Sequence, residues 1–132
     1  MPREKTARDY MTRDVVALTP DTDLRRAALV LLSRSISGAP VIDAAGRVVG
    51  MLTEKDCFRV IFAAGYHDEL CGPVSDYMSV GVEAVDADSS IIEVIERFLG
   101  SRYRRFPVVS GGRLVGIISR RDALRALAEM GT

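Results

Sequence analysis

Two stretches of the chain carry apolar residues at the spacing of an amphipathic helix. The apolar positions of the first stretch are Leu24, Ala27, Ala28, Leu31 and Leu32, and those of the second are Ile91, Val94, Ile95, Phe98 and Leu99. Both sets fall at i, i+3, i+4, i+7 and i+8, so the pattern predicts two amphipathic helices. Residues that favour helix N-caps precede each stretch: Asp21, Thr22 and Asp23, then Asp88, Ser89 and Ser90.

A β-hairpin pattern follows each of these helices. The strands of the two hairpins are residues 40–42 with 48–52, and residues 107–109 with 114–118, each pair around a glycine-bearing turn. Short extended pieces at 15–18 and 82–85 precede the helices. The second strand of each hairpin is apolar on successive residues, which is typical of strands with both faces covered.

A further helix is predicted after each hairpin. The first runs from Thr53 to about Ala64 and the second from Ser119 to about Met130, and a glycine follows each end (Gly65 and Gly131). The predicted unit is therefore β-α-β-β-α, present twice.

These elements recur because the sequence itself recurs. Gly50, Thr53 and Asp56 return as Gly116, Ser119 and Asp122, and the lead Asp9-Tyr10-Met11 returns as Asp76-Tyr77-Met78, 67 positions later (78 − 11). An internal repeat is the unit of its fold. We therefore expect residues 1–132 to form a single module, with a first motif at 8–64, a linker at 65–74 and a second motif at 75–130. Units of this size are marginal alone, so we expect the two to share a core.

Composition and charge exclude several classes of protein. The 18 basic and 18 acidic residues cancel, so a bulk basic field for nucleic acid is absent. No apolar run approaches the roughly 18 residues of a membrane span, and no secretory signal opens the chain, so we expect a cytoplasmic protein. Cys57 and Cys71 are too far apart for a metal knuckle or a redox pair, and we expect two free thiols and no metal site.

The hydroxyl and the carboxylate three residues apart, Thr53 with Asp56 and Ser119 with Asp122, have two interpretations. In the first they are capping boxes that need no ligand. In the second the Asp accepts hydrogen bonds from a ribose diol, as acidic residues do in dinucleotide folds, and the helix N-terminus favours a phosphate. The glycine three residues before each hydroxyl would let a ligand approach the strand. The residues alone leave both interpretations open.

With these motifs the chain resembles a pair of CBS motifs, the arrangement called a Bateman module, here of the stand-alone type. The resemblance covers roughly residues 8 to 130 and rests on the repeated Gly-x-x-Thr/Ser-x-x-Asp, the Asp-Tyr-Met leads and the Pro-Val starts of the hairpins. It implies an α/β fold in which two repeats pack through their sheets with pseudo-twofold symmetry. It also implies two clefts for adenosine-based ligands: AMP, ADP or ATP, or alternatively S-adenosylmethionine or NAD.

In this family each cleft takes a ribose-binding Asp from one motif and adenine contacts from the other. Carried over, the first cleft comprises Asp122, Ser119, Met11, Val16, Ile36, Ser37 and Ala39. The second comprises Asp56, Thr53, Met78, Glu83, Tyr103, Arg104, Arg105 and Phe106.

The two implied clefts differ in charge. Arg104 and Arg105 are candidates for phosphate contacts, since a guanidinium forms bidentate hydrogen bonds with anions; the alternative is a pair of solvated charges. Glu83 stands where the other copy has Val16. Its carboxylate either accepts a hydrogen bond from an adenine amino group or disrupts the pocket. We therefore prefer the Ser119/Asp122 cleft as the adenosine site.

The resemblance implies a regulatory module without catalysis, requiring no cofactor, that signals to a partner in trans and forms a homodimer. An enzyme is disfavoured because the chain has no phosphate-cradling Gly-rich loop, and its single histidine, His67, cannot build a paired-His or Cys-His site. The main alternative is a protein–protein interaction scaffold with vestigial clefts.

Overall fold

The computed structural model describes residues 4–64 and 71–130. Gly65, His67 and Gly131 lie outside the described residues. In chain order the elements are α1 (Ala7–Tyr10), α2 (Leu24–Ser33), β1 (Gly38–Ile42), β2 (Val48–Thr53), α3 (Glu54–Ala63), a 3-10 helix (Val74–Asp76), β3 (Val85–Asp86), α4 (Ile91–Leu99), β4 (Arg105–Ser110), β5 (Arg113–Ser119) and α5 (Arg120–Met130).

The chain forms two compact units. The central unit is Val16–Val82, and the terminal unit combines Met1–Val15 with Glu83–Thr132. Each unit has its own cluster of buried hydrophobic residues. None of the helices in ranges 4–64 and 71–130 is both long enough and apolar enough to cross a membrane.

In the central unit, β1 and β2 form an antiparallel hairpin in which Gly38 lies opposite Thr53. The turn between the strands requires a positive φ at Gly46 (83°), which glycine adopts without strain. Helix α2 begins after Asp23, whose carboxylate accepts the backbone N–H of Arg25 at 3.0 Å. The fully buried side chains of this unit include Leu24, Ala27, Val41, Leu52 and Val74, and Leu31 is 2% exposed.

In the terminal unit, β3 runs parallel to β4, and β4 pairs with β5 in an antiparallel hairpin that sets Arg105 opposite Ser119. Helix α4 begins after Ser90, whose hydroxyl accepts the backbone N–H of Glu93 at 3.2 Å. The fully buried side chains include Ile91, Val94, Phe106, Val108 and Ile118.

The predicted helices and hairpins are confirmed, and the extended pieces are shorter than expected. Residues 15–18 contribute one bridge, between Leu18 and Val41, and the second copy contributes the two-residue strand β3. The reason is that pairing with the hairpin begins only at the last residue of each piece: Leu18 N–H donates to Pro40 C=O at 2.9 Å, and Ile42 N–H returns a bond to Leu18 C=O at 2.8 Å.

The short helix α1 was not predicted. Thr6 and Asp9 form a capping box at its start, with the same hydroxyl-to-Asp spacing as the two repeat motifs. Ala7, Tyr10 and Met11 are buried in the core of the terminal unit. The N-terminal segment therefore completes the unit built mainly from the second repeat.

Candidate ligand-binding site

Both repeat motifs form capping boxes of nearly identical geometry. The backbone N–H and the hydroxyl of Thr53 donate to Asp56 Oδ2 at 2.9 and 3.0 Å. The same two groups of Ser119 donate to Asp122 Oδ2, also at 2.9 and 3.0 Å. The hydroxyls accept in return from the backbone N–H of Asp56 at 3.3 Å and of Asp122 at 3.1 Å. The capping interpretation thus holds at both positions, and it uses only one oxygen of each carboxylate.

The first backbone N–H of each helix is also occupied. Glu54 N–H donates to Ser37 C=O, and Arg120 N–H donates to Arg104 C=O, each at 2.9 Å. Together with the capped N–H of the Asp, two of the first three donors of α3 and of α5 are engaged within the protein. Fewer amides are therefore available to a phosphate than a bare helix N-terminus would provide.

The motif glycines lie under methionines of the Asp-Tyr-Met leads. A Cβ on Gly116 would stand 2.5 Å from Met11 Sδ and 2.8 Å from Thr12 O, and a Cβ on Gly50 would stand 2.8 Å from Met78 Cγ and 3.0 Å from Ser79 O. The sequence predicted close approach by a ligand here. In the structure the atoms that approach each glycine are the protein's own.

The two Asp residues differ in how the second oxygen is used. Arg125 Nη1 donates to Asp122 Oδ1 at 3.3 Å, and the side chain of Asp122 is 15% exposed. Arg59 stands at the same position relative to Asp56, three residues later, yet no ion pair joins the two. Within ranges 4–64 and 71–130, Asp56 Oδ1 accepts no hydrogen bond. Sequence reasoning overlooked Arg125, although the shared Asp-x-x-Arg spacing was a visible signal.

The loop before β4 is ordered by Arg120. Its Nε donates to Tyr103 C=O at 3.1 Å and its Nη2 to Arg102 C=O at 3.4 Å. A cation in the first turn of a helix is unfavourable with respect to the helix dipole, and these two carbonyls compensate for that position. Arg104 remains exposed, and Arg105 is half-buried as the first residue of β4.

Each predicted cleft draws its residues from both units. The central unit holds Val16, Ile36, Ser37, Ala39, Thr53, Asp56 and Met78. The terminal unit holds Met11, Glu83, Tyr103, Arg104, Arg105, Phe106, Ser119 and Asp122. The Thr53/Asp56 capping box therefore lies in the same unit as Met78, and the Ser119/Asp122 capping box lies in the same unit as Met11. The composition of the two clefts stays a prediction.

The predicted site residues differ widely in exposure. Ala39 and Phe106 are fully buried in the cores of their units, and Met11 is 9% exposed. Phe106 packs against Phe98, with ring centroids 4.7 Å apart, and the guanidinium of Arg97 lies over its ring at 4.8 Å. Tyr103 is 45% exposed and packs against Phe106 at 5.5 Å.

Two further side chains of the second cleft and its surroundings are already paired. Glu83 is exposed and lies 3.9 Å from Arg97 Nη2 in an ion pair. Arg97 Nη1 also donates to Ala84 C=O at 2.7 Å. An adenine amino group would have to compete with Arg97 for the carboxylate of Glu83.

The cysteines are free thiols, as predicted. Cys57 is 5% exposed. Burial, with smaller contributions from the carboxylates of Asp56 and Glu54, raises the pKa of its thiol to about 11. Among the described residues no group of three or more His, Cys, Asp or Glu side chains could hold a metal ion.

Comparison with known proteins decides the family. The CBS domain family matches residues 7–63 and 74–129. The chain belongs to the CBS domain family. It has the α/β fold of a tandem CBS pair, with two repeats that cover nearly the whole sequence.

Similar proteins include both short and long chains. Hypoxic response protein 1 of Mycobacterium tuberculosis is 33% identical over 124 residues, which is 94% of this chain and 86% of that protein. An inosine-5'-monophosphate dehydrogenase of Methanocaldococcus jannaschii is 31% identical over 122 residues, 92% of this chain but only 23% of the dehydrogenase. CBS pairs similar to this one therefore also occur within much larger enzymes.

Two solved structures are close in fold. CBSX2 of Arabidopsis thaliana, in its complex with AMP, has a TM-score of 0.82 at 25% identity and covers 97% of this chain and 99% of its own. Hypoxic Response Protein I, solved with two coordinated zinc ions, has a TM-score of 0.77 at 31% identity, over 92% of this chain and 98% of its own.

Proposed function

We propose that this CBS pair is a non-enzymatic regulatory module that binds an adenosine-based nucleotide and signals to a partner through a change of conformation. A ligand shifts such an equilibrium only as far as it binds one arrangement better than the other. The ligand classes are AMP, ADP and ATP, with S-adenosylmethionine and NAD as alternatives. The AMP complex of CBSX2 supports this choice.

The proposal rests on the hydrogen-bond acceptor positions that remain unused on the carboxylates of Asp56 and Asp122. An ionised carboxylate has about four acceptor positions, and each capping box occupies two of them on Oδ2. Oδ1 of Asp56 accepts nothing within the described ranges, so it can receive the two hydroxyls of a ribose diol without breaking the cap. The same side chain can therefore stabilise α3 and bind a sugar.

The exposed Arg104, with Arg105 beside it, supports a phosphate on the nucleotide. Arg104 C=O accepts the first N–H of α5, so its backbone lies at the N-terminus of that helix. We expect Arg104→Ala to weaken ATP binding more than adenosine binding, measured by calorimetric titration. Equal losses for both ligands would remove the phosphate contact from the proposal.

The first test is thermal unfolding in the presence of AMP, ADP, ATP, S-adenosylmethionine and NAD, with GTP as the control. A ligand at 100 times its Kd stabilises the folded state by about 2.7 kcal/mol. For a chain of this size the midpoint should rise by roughly 10 °C. A shift confined to adenosine ligands is the expected result. No shift with any ligand would contradict nucleotide binding and favour the interaction scaffold.

The ribose-binding role of the carboxylates needs a control for helix capping, and the chain supplies one. Asp9 forms a capping box of the same type at α1, outside both predicted clefts. We expect Asp122→Ala to abolish binding at one site and Asp9→Ala to leave binding unchanged, although both variants lose a cap. Unchanged nucleotide binding by Asp122→Ala would refute the ribose contact there.

We also propose that the module is a homodimer that associates through its helices. In the central unit, α2 and α3 leave large apolar side chains exposed: Leu29 at 60%, Leu32 at 68%, Phe58 at 70% and Phe62 at 70%. Exposed apolar surface of this kind marks interaction sites. Light scattering should give a dimer mass for the wild type and a monomer mass for Phe58→Glu. Val80→Glu, at a 73% exposed valine that belongs to neither helix, serves as the control.

A further inference from the structure

We infer that the contact of Arg125 with Asp122, called the latch below, weakens nucleotide binding at the Ser119/Asp122 capping box (the Asp122 box). The Thr53/Asp56 capping box (the Asp56 box) is then the tighter of the two nucleotide sites and is occupied first. This inference rests on the proposed nucleotide binding and specifies how its two sites differ. The order is the reverse of the preference drawn from the sequence, which favoured the Ser119/Asp122 cleft.

Three contacts hold the guanidinium of Arg125 in place. Nη1 donates to Asp122 Oδ1 at 3.3 Å, and Nη2 donates to Tyr10 C=O at 3.4 Å. The guanidinium carbon also lies 5.5 Å from the centroid of the Tyr10 ring, within the range of a cation–π contact. The hydroxyl of Tyr10 in turn donates to Glu129 Oε2 at 2.5 Å, which fixes the tyrosine against α5.

The latch occupies an acceptor position that a ribose would use. Oδ2 of Asp122 already accepts from the N–H and the hydroxyl of Ser119, so Oδ1 is the atom left for a diol. When Arg125 donates to Asp122 Oδ1, one of the two acceptor positions of that oxygen is filled. A diol that donates both hydroxyls to Oδ1 must therefore displace the guanidinium, and binding at this box includes the cost of breaking that ion pair.

The Asp56 box has the same cap without the latch. Arg59 occupies the position that Arg125 occupies in the other repeat, and it makes no ion pair with Asp56 within the described ranges. The tyrosine of the corresponding lead, Tyr77, donates its hydroxyl to Cys71 C=O at 2.6 Å instead of bonding a helix carboxylate. The difference between the boxes is thus a property of Arg125 and its anchor, Tyr10, rather than of the motif.

The size of the effect follows from the exposure of the pair. The side chain of Arg125 is 52% exposed, and partly exposed ion pairs of this kind change an equilibrium by about twofold to fivefold. The effect must also shrink as salt screens the pair.

The test is calorimetric titration of the full chain with AMP, in backgrounds that leave one box intact. In Asp56→Ala, which retains the Asp122 box, adding Arg125→Ala should tighten AMP about twofold to fivefold at low salt, and high salt should reduce the gain. In Asp122→Ala, which retains the Asp56 box, adding Arg59→Ala should give no such gain. Arg59 and Arg125 stand at equivalent positions, so any general loss of attraction for the AMP phosphate is common to both variants.

The outcomes separate the latch from the proposed function. AMP binding in both backgrounds with no tightening by Arg125→Ala, relative to the Arg59→Ala control, overturns the latch and leaves the nucleotide site standing. Absence of binding by AMP and by every other adenosine ligand of the unfolding panel, in the wild type and in every variant, overturns both. If Arg125→Ala unfolds, Arg125→Lys is the substitute variant. It keeps the positive charge but loses the guanidinium group that joins Asp122 to Tyr10, and it should also increase the affinity for AMP.

Discussion

Replacement of Gly116 by alanine tests the contact between the N-terminal lead and the second motif. The added Cβ would stand 2.5 Å from Met11 Sδ and 2.8 Å from Thr12 O. The methionine side chain can move aside, but Thr12 O cannot, because Thr12 and Ile117 exchange two backbone hydrogen bonds at 2.8 and 3.0 Å. We expect Gly116→Ala to force these bonds apart.

The magnitude can be worked from two opposing effects. Overpacking of a well-packed contact costs about 1–3 kcal/mol, while replacing glycine by alanine stabilises by about 0.4–1 kcal/mol through the unfolded chain. The net loss should be about 1–2 kcal/mol. Urea unfolding followed by circular dichroism should show a lower midpoint at an unchanged slope.

Gly100→Ala is the matched control for Gly116→Ala. Gly100 is the C-cap of α4 with φ −90°, and among the described residues the one atom near its added Cβ is Glu96 O at 3.5 Å, an ordinary contact. This variant should be neutral or slightly more stable than wild type. If Gly116→Ala matches Gly100→Ala in stability, the close packing of the lead on the strand is wrong.

Three further predictions concern capping, thiol reactivity and pH. Thr53→Ala and Ser119→Ala should each lower the free energy of unfolding by about 1 kcal/mol, and urea midpoints equal to wild type would contradict the caps. At pH 8, Cys71 should react with a thiol reagent in the native protein, whereas Cys57 should react only on unfolding, because burial raises the pKa of the Cys57 thiol to about 11. Equal reaction rates of the two cysteines in the native protein would refute this. The hydrogen bond from Tyr10 to the carboxylate of Glu129 raises the pKa of Tyr10, so above about pH 10 the tyrosine ionises first in the unfolded chain and the free energy of unfolding falls. Tyr10→Phe should lose less stability over that pH range. If the stability of the wild type and of Tyr10→Phe falls in parallel with pH, the hydrogen bond is contradicted.

The sequence predicted the regular elements well because their signals are local. The apolar spacing of α2 and α4 depends on neighbouring residues, and so do the caps at Asp23 and Ser90. The extended pieces before these helices were overestimated, because the number of ladder hydrogen bonds depends on where the hairpin lies and not on the residues of the piece.

The candidate site was predictable in its residue types and not in its asymmetry. Asp56 and Asp122 carry the same motif, and each is followed three residues later by an arginine. Only the packing of Tyr10 against α5 distinguishes them, because it provides the carbonyl and the ring that hold Arg125. Such a difference arises from contacts between residues 115 positions apart, which a motif cannot encode.

The pairing of the two leads shows why repeat symmetry alone could not assign these contacts. The structure pairs Met78 with Gly50 (78 − 50 = 28 positions) and Met11 with Gly116 (116 − 11 = 105), whereas the exchanged pairing would close separations of 38 and 39. Loop-closure entropy disfavours the observed pairing by only about 0.6 kcal/mol, less than the roughly 1.5–3 kcal/mol gained by burying one methionine side chain. Chain connectivity therefore cannot decide between the two arrangements. The arrangement therefore depends on the contacts that each methionine makes, with Met78 against Gly50 and Met11 against Gly116.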